Sequence, residues 1–251
     1  MSWFRKMTAA GLVLASSSIA AGCADNESMM FIIGVADITG SDCVLAPSSD
    51  GPFIGLGTLD VAIRDTYIAA LVVGNQLTER GSRNQLRTET SRVRLEGAEV
   101  TLEDAGGAQL AEFTSLGSGF VHPAAGTDPS YGGFFTNLVP PGANLPEGQY
   151  VASIRVFGTT LGGQEIESGE LRFPIDICNG CLVYYPGEAL DASVAGGDPY
   201  LCATSPATAV DPEGAGAGTC NAGQDQMVSC VTCAASSPVC RDPALNPYYG
   251  G

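Results

Sequence analysis

Basic residues are scarce in this chain, and their scarcity argues against two classes of partner. The sequence carries 27 acidic residues against 11 Lys and Arg, and no Lys follows Lys6. A net charge of −16 disfavours nucleic acid and anionic lipid head groups, whose phosphates are held mainly by clustered Lys and Arg. Charged residues make up only 15% and apolar residues 45%, which argues against disorder and predicts a folded core.

Groups that carry catalysis are also few. His122 is the only histidine, which excludes a His-rich metal site. The sequence has no G-x-S-x-G elbow, no complete G-x-G-x-x-G fingerprint and no D-x-[DN]-x-[DN]-G calcium loop. With 27 acidic residues, some carboxylate pairs will lie at glycosidase spacing by chance. Such pairs therefore do not distinguish a glycosidase from a protein without that activity. We therefore predict no enzyme activity, no cofactor and no metal.

Residues 1–22 have the organisation of an export signal. Arg5 and Lys6 give a positive start, and the uncharged run MTAAGLVLASSSIAAG leads to Cys23. The run is shorter and more polar than a membrane span of about 20 apolar residues. The alternative to lipidation is a plain signal peptide cut near Gly22, with Cys23 as an ordinary cysteine.

The segment Ala20-Ala21-Gly22-Cys23 resembles the lipobox of bacterial lipoproteins, although Ala20 stands where Leu is commonest. The resemblance implies that Cys23 takes a diacylglycerol and further acyl chains, such as palmitate, and becomes the mature N-terminus. Several acyl chains hold a protein on a bilayer stably where one chain does not. Ala24 replaces the Asp that retains such lipoproteins at the inner membrane, so the resemblance implies the outer membrane.

After a tether of residues 24–28, the chain shows short β-rich runs separated by turns. Alternation of apolar and polar residues, as in Tyr150, Ala152, Ile154 and Val156, is typical of half-buried strands. The predicted strands are 58–63, 67–73, 92–95, 98–102, 109–113, 133–138, 149–157 and 169–177. This spacing favours an antiparallel sandwich of the immunoglobulin or fibronectin kind over residues 29–178, with a barrel as the alternative.

The segment 147–178 resembles the last hairpin of such sandwiches, with a Gly-x-Tyr strand opening, a Gly-rich turn and a closing strand. Residues 179–251 differ in composition, because Cys recurs and Phe and Trp are absent beyond Pro186. We predict a Cys-rich, loop-dominated extension that its disulfides stabilise.

Eight cysteines remain beyond Cys23, and an exported chain is expected to pair them as disulfides. Seven of the eight follow Ile177, and seven cannot pair among themselves, so one must bridge to Cys43. Cys178 or Cys181 is the preferred partner, because both follow the last sandwich strand. The eight predicted disulfide cysteines are Cys43, Cys178, Cys181, Cys202, Cys220, Cys230, Cys233 and Cys240.

Two other uses of these cysteines are weaker. The pairs Cys178-Cys181 and Cys230-Cys233 match a CxxC…CxxC zinc pattern, but their separation is long and zinc requires thiolates. A thioredoxin-like redox site needs a CxxC that opens a helix, whereas Cys178 ends a strand.

Five arginines between Arg80 and Arg94 form the densest basic group of the sequence. Most such groups are solvated loops and strand edges. The functional alternative is a site for an anionic group, since Arg makes bidentate contacts with carboxylate and phosphate. For such a binding site we single out Arg83, Arg87 and Arg92.

Taken together, these features resemble the largely uncharacterised Cys-rich lipoproteins of Gram-negative envelopes. The expected function is a lipid-anchored, non-catalytic binding or structural module at the outer membrane. Its expected partners are the membrane, through the N-terminal lipid, and an envelope protein or glycan. The alternatives are an envelope carbohydrate-active hydrolase and a periplasmic thiol-disulfide carrier that uses Cys178 and Cys181.

The lipobox generates a direct prediction. The membrane form should have the mass of residues 23–251 plus acyl chains, and Cys23→Ala should leave an uncut or soluble product. Intact mass spectrometry of the membrane fraction measures both. A mature protein whose Cys23 is unmodified would contradict the prediction.

Overall fold

The computed structural model of this chain describes residues 29–38, 43–82, 87–184 and 220–230. The signal, Cys23, the tether, Arg83, Cys202, Cys233 and Cys240 lie outside these residues. The all-β prediction is confirmed, because the described residues form strands and turns without any helix. Accordingly, no described helix has the length and apolar character needed to cross a membrane.

Twelve strands are present in the described part of the chain. They are β1 (Met30–Ala36), β2 (Phe53–Ile54), β3 (Gly57–Asp60), β4 (Tyr67–Asn75), β5 (Val93–Asp104), β6 (Gln109–Val121), β7 (Ser130–Val139), β8 (Gly148–Thr160), β9 (Glu165–Glu167), β10 (Leu171–Cys178), β11 (Val183–Tyr184) and β12 (Val228–Ser229).

The strands form two main sheets. The first has the order β2-β1-β4-β7, and all its neighbours are antiparallel. The second has the order β3-β10-β8-β5-β6, with β9 paired to the C-terminal part of β8. Within it, β3 runs parallel to β10, and the other pairs are antiparallel. A short parallel pair, β11-β12, lies outside both sheets.

One hydrophobic core lies between the two sheets. The predicted alternation holds along β8, where Tyr150, Ala152, Ile154 and Val156 are buried and Arg155 is exposed. The first sheet contributes large side chains to the same cluster, among them Leu71 and Phe134. Burying each large aliphatic or aromatic side chain contributes about 1.5–3 kcal/mol, so this shared core joins the sheets.

Glycines let the edge strands β6 and β7 approach each other. A Cβ on Gly132 would lie 2.6 Å from the carbonyl oxygen of Phe120, and one on Gly119 would lie 2.9 Å from that of Gly133. The Ser115 hydroxyl accepts a hydrogen bond from the Asn137 N–H across the same gap. The two sheets therefore nearly meet along this side.

Several predicted strand boundaries differ from the structure, and the largest extension is that of 109–113, which continues to Val121 in β6. The runs 92–95 and 98–102 belong to the single strand β5, because Glu96 and Gly97 form a bulge rather than a turn. The run 58–63 ends earlier, at Asp60, because the carbonyl of Asp60 accepts the N–H groups of Ile63 and Arg64 in a turn. Residues 30–36 form β1, which the set of predicted strands omitted.

The glycine contact predicts a local stability effect. Gly132→Ala should lower the free energy of unfolding by about 1–3 kcal/mol, because the methyl group would meet backbone that cannot rotate away. Gly169→Ala is the control, since nothing lies within 4 Å of its added Cβ. Urea denaturation of both variants measures the difference, and equal midpoints would contradict the role of this contact.

Candidate functional site

Residues 220–230, here termed the clasp, lie against the end of the sandwich where β3 ends and β4 begins. A disulfide joins Cys220 to Cys43 across 177 residues of sequence. At the other end of the clasp, Cys230 is also disulfide-bonded, and its N–H donates to the carbonyl of Tyr184. The clasp is therefore fixed to the rest of the protein at both ends.

Gln224 inserts its side chain between the sheets and is 2% exposed. Its carboxamide pairs with the peptide groups of Ile68 in β4: the Ile68 N–H donates to Oε1 at 2.8 Å, and Nε2 donates to the Ile68 carbonyl at 2.8 Å. The pairing of β1 with β4 ends at Leu71. The side chain of Gln224 thus replaces a neighbouring strand beyond that point and satisfies buried backbone groups.

Asp225 joins the clasp to both sheets. Its Oδ1 accepts the Thr58 N–H of β3 at 2.6 Å, and its Oδ2 accepts the Tyr67 hydroxyl of β4 at 2.7 Å. The Asp225 N–H donates to the Thr58 carbonyl, and the Gly223 carbonyl accepts the Asp60 N–H. These bonds extend the outer edge of β3, so the clasp covers an edge that would otherwise be open to strand pairing.

Burial governs the electrostatics around Asp225. It raises the pKa of Asp225 above the usual range, and Asp37 adds to this effect, while hydrogen bonds from Thr58, Tyr67 and Gln224 oppose it. Burial likewise raises the pKa of the Tyr67 phenol, with Asp225 contributing. Burial lowers the pKa of Arg64, which the charges of Asp65 and Asp225 partly offset.

The predicted bridge from Cys43 to the C-terminal region is present, but the preferred partner was wrong. Cys43 pairs with Cys220, while Cys178 and Cys181 pair with each other. The Cα atoms of Cys178 and Cys181 lie 5.9 Å apart, within disulfide range, because the chain turns sharply at Gly180 with φ 85°. The clasp brings Cys220 to Cys43, which the strand order alone could not indicate.

A buried carboxylate lies beside the Cys178–Cys181 bridge. Asp60 is completely buried, and it accepts the backbone N–H groups of Ala62, Gly180 and Leu182. Its oxygen and the two sulfurs lie within 4.8 Å of one another. Thiol-disulfide carriers need an accessible, acidic thiol, whereas Cys178 is buried. The arrangement therefore favours a structural bridge and disfavours a carrier.

The structure describes two of the three predicted anion-binding arginines. Arg87 is exposed, and its backbone pairs with that of Ser82. Arg92 is half-buried, with its guanidinium 4.4 Å from the centre of the Phe120 ring. The nearby Arg94 instead forms an ion pair with Glu96. Both described arginines belong to one end of the sandwich, but no described contact joins them.

Two further features bear on the enzyme alternative. His122 is exposed directly after β6, at the same end of the sandwich as Arg92. A pocket of about 300 Å³ on the outer face of the second sheet is lined by Phe157 and several glutamates, including Glu99 and Glu167. The pairing of β9 with β8 assembles this pocket, and no sequence motif indicated it.

Comparison with known proteins gives little further information. The sequence matches no protein-family model and no curated protein sequence. One similar solved structure is the CooA pilin subunit from enterotoxigenic Escherichia coli, with 14% identity and a TM-score of 0.22. That match covers 52% of this chain and 95% of the pilin chain. A likeness of this degree supports no argument about this chain.

Asp225 generates a prediction about pH. Because its pKa is raised in the folded state, the folded protein binds more protons than the unfolded chain between about pH 4 and the raised value. The contribution of Asp225 to stability is therefore present at low pH and declines as pH rises through this window. Asp225→Asn removes this dependence.

The test compares urea unfolding of the wild type and Asp225→Asn from pH 3.5 to 7.5. The stability of the wild type relative to the variant should fall with rising pH, by about 1.4 kcal/mol for each unit by which the pKa is raised. Asp50→Asn, in an exposed loop, is the matched control. A difference that is constant or increases with pH would contradict the prediction.

Proposed function

We propose that this chain is a lipid-anchored, non-catalytic module of the cell envelope, held at the outer membrane through Cys23. In this proposal an immunoglobulin- or fibronectin-like sandwich presents one end to an envelope protein or glycan. The observation that carries the proposal is that the two ends of the sandwich are built from different segments. The chain enters the sandwich at one end, and the clasp and several loops lie at the other.

The strand order supports the immunoglobulin-like part of the proposal. Immunoglobulin sandwiches place strands A, B and E in one sheet and C, F and G in the other. In this chain β1, β4 and β7 correspond to A, B and E, while β5, β8 and β10 correspond to C, F and G. In this correspondence β6 lies beside C, as strand C′ does in variable-type domains.

A second support is the start of β8, the strand that corresponds to F. The Tyr150 hydroxyl donates to the carbonyl of Pro146 at 2.8 Å, four residues upstream. A tyrosine at this place, bonded back to the preceding corner, is the tyrosine corner of immunoglobulin-like domains. Ala152 stands two residues later, where antibody domains carry a disulfide cysteine, and it is fully buried.

The two ends of the sandwich differ in which segments they carry. The chain enters β1 at one end, here termed the anchor end, where the Met29 carbonyl accepts the Gln76 N–H one residue before β1 begins. At the opposite end lie the clasp, the turn after Asp104 and the loop from Pro140 to β8. If acyl chains on Cys23 hold the anchor end near the bilayer, this far end faces away from it and is accessible to a partner.

The non-catalytic part of the proposal is supported by the placement of reactive groups. A catalytic site needs a positioned nucleophile, base or metal. His122 is exposed at the anchor end, and among the described residues the one cluster able to ligate a metal contains the disulfide-bonded Cys178 and Cys181.

Photo-crosslinking in intact cells tests the proposal. A photoreactive side chain at the exposed Gly106 of the far end should give protein or glycan adducts in the outer-membrane fraction. The same group at Gln164, exposed near the anchor end, is the matched control and should give no such adduct.

Three outcomes would overturn the proposal. They are recovery of the protein in the soluble fraction with unmodified Cys23, adducts from Gln164 alone, and turnover of an envelope glycan that His122→Ala abolishes. The last outcome would favour the hydrolase alternative instead.

A further inference from the structure

We propose that a cavity at the far end of the sandwich, here termed the end cavity, binds an aliphatic ammonium, that is, a protonated amine on a short alkyl chain. The proposal goes beyond the envelope role proposed above and does not depend on the lipid anchor. It rests on the enclosure of the end cavity, on the chemistry of its walls and on the charges around its mouth.

The end cavity lies between the two sheets, where β3, β7 and β10 end, and has a volume of about 290 Å³. Its walls are mostly aliphatic, formed by Leu59, Val61, Val139, Leu145 and Ile177. Leu59, Val139 and Ile177 are at most 2% exposed, so the floor of the cavity belongs to the core, whereas Val61 is 38% exposed. Both sheets therefore contribute to an apolar site that opens to solvent at the far end.

The size of the end cavity limits the ligand. An apolar cavity of about 150 Å³ accepts a benzene molecule, so roughly twice that volume accommodates an alkyl chain with about six to eight heavy atoms. Water against the aliphatic walls finds few hydrogen-bond partners, so its displacement by an alkyl group is favourable.

The two polar side chains of the walls offer hydrogen-bond acceptors. Asp65 is exposed and contributes its carboxylate. Asn144 donates from Nδ2 to the Gly142 carbonyl at 2.9 Å, which fixes the carboxamide and leaves Oδ1 as an acceptor. An ammonium has three donors and no acceptor, so it complements this pair, whereas a carboxylate or phosphate does not.

The surrounding charges favour a cation over an anion. Glu147 adds a second exposed carboxylate in the loop that carries Asn144. The cation nearby is Arg64, whose guanidinium feels the charges of both Asp65 and Asp225. Its Nη2 donates to the Thr66 hydroxyl, and in the part of the chain that the structure describes Asp65 forms no ion pair. The Asp65 carboxylate is thus available to pair with a bound ammonium.

The other arginine on the strands of the end cavity does not alter this balance. Arg172 of β10 forms an ion pair with Glu103 on the outer face of the second sheet, away from the space between the sheets. β7 and β3 contribute no basic residue. The site therefore combines aliphatic walls with a carboxylate at the mouth, which is the complement of an alkylammonium.

The first test titrates three probes of matched length, hexylamine, 1-hexanol and hexanoate, into the chain from residue 23 onward with Cys23→Ala, which carries no lipid. The readout is the NMR shift of the methyl groups of Val61, Leu145 and Ile177. Hexylamine should bind with a dissociation constant in the millimolar range, about fivefold more tightly than hexanol, and hexanoate should bind most weakly. Unchanged methyl shifts, or equal affinities of the three probes, would overturn the proposal.

A fourth probe, Nα-acetyl-lysine methylamide, distinguishes two sources of the same chemistry. An affinity equal to that of hexylamine would support an ammonium presented by a lysine side chain of a partner. A weaker affinity would support a free amine as the ligand.

The second test uses variants of the end cavity. Asp65→Asn should weaken hexylamine binding about fivefold and leave hexanol binding unchanged, because only the ammonium pairs with the carboxylate. Val61→Phe, which adds volume at the mouth, should weaken the binding of both probes. Asp128→Asn and Leu161→Phe are the matched controls, because both residues are exposed at the anchor end. Hexylamine binding that survives either cavity variant at full strength would overturn the proposal, and the methyl spectrum of each unliganded variant verifies its fold.

Discussion

The hydrogen bonds of Gln224 and Asp225 hold together the end of the sandwich where β3 ends and β4 begins. There β3 belongs to one sheet and β4 to the other, and backbone groups of both would be buried without partners. A buried peptide group left without a hydrogen bond costs about 1–3 kcal/mol. Two polar side chains of the clasp satisfy several such groups, and the Cys43–Cys220 disulfide keeps them in place.

This constraint separates the two ends of the molecule chemically. The far end is closed by disulfides, a buried carboxylate at Asp60 and the clasp, and it is built from short, tightly bonded turns. The anchor end has no described disulfide, and in the loop between β4 and β5 the Glu89 carboxylate accepts the N–H groups of Arg80, Gly81 and Ser91. A proposed partner at the far end would therefore meet a rigid surface, which lowers the entropy lost on binding.

The sequence predicted those parts of the structure that depend on local pattern. Alternation identified β8 and β10, and cysteine parity required a bridge from Cys43 to the C-terminal region. Sequence patterns did not predict features of the structure that depend on contacts between residues distant in the sequence. Gln224 lies in a Gly- and Ala-rich segment without periodicity, and its partner Ile68 is 156 residues away. Likewise, Glu96-Gly97 has the composition of a turn, yet pairing with two flanking strands holds it as a bulge.

The Cys43–Cys220 bridge also sets an order of events during biogenesis. A ring closed by one bond between cysteines 177 positions apart encloses every strand of both sheets except β1, and in the chain-entropy model it contributes roughly 5 kcal/mol to stability. Because a chain is made from its N-terminus, Cys220 emerges only after the last core strand. Until then β3 has an open edge that can pair with another chain. The vulnerable species for this protein is thus the nearly complete chain, whose core strands are present but whose Cys43–Cys220 bridge is still missing.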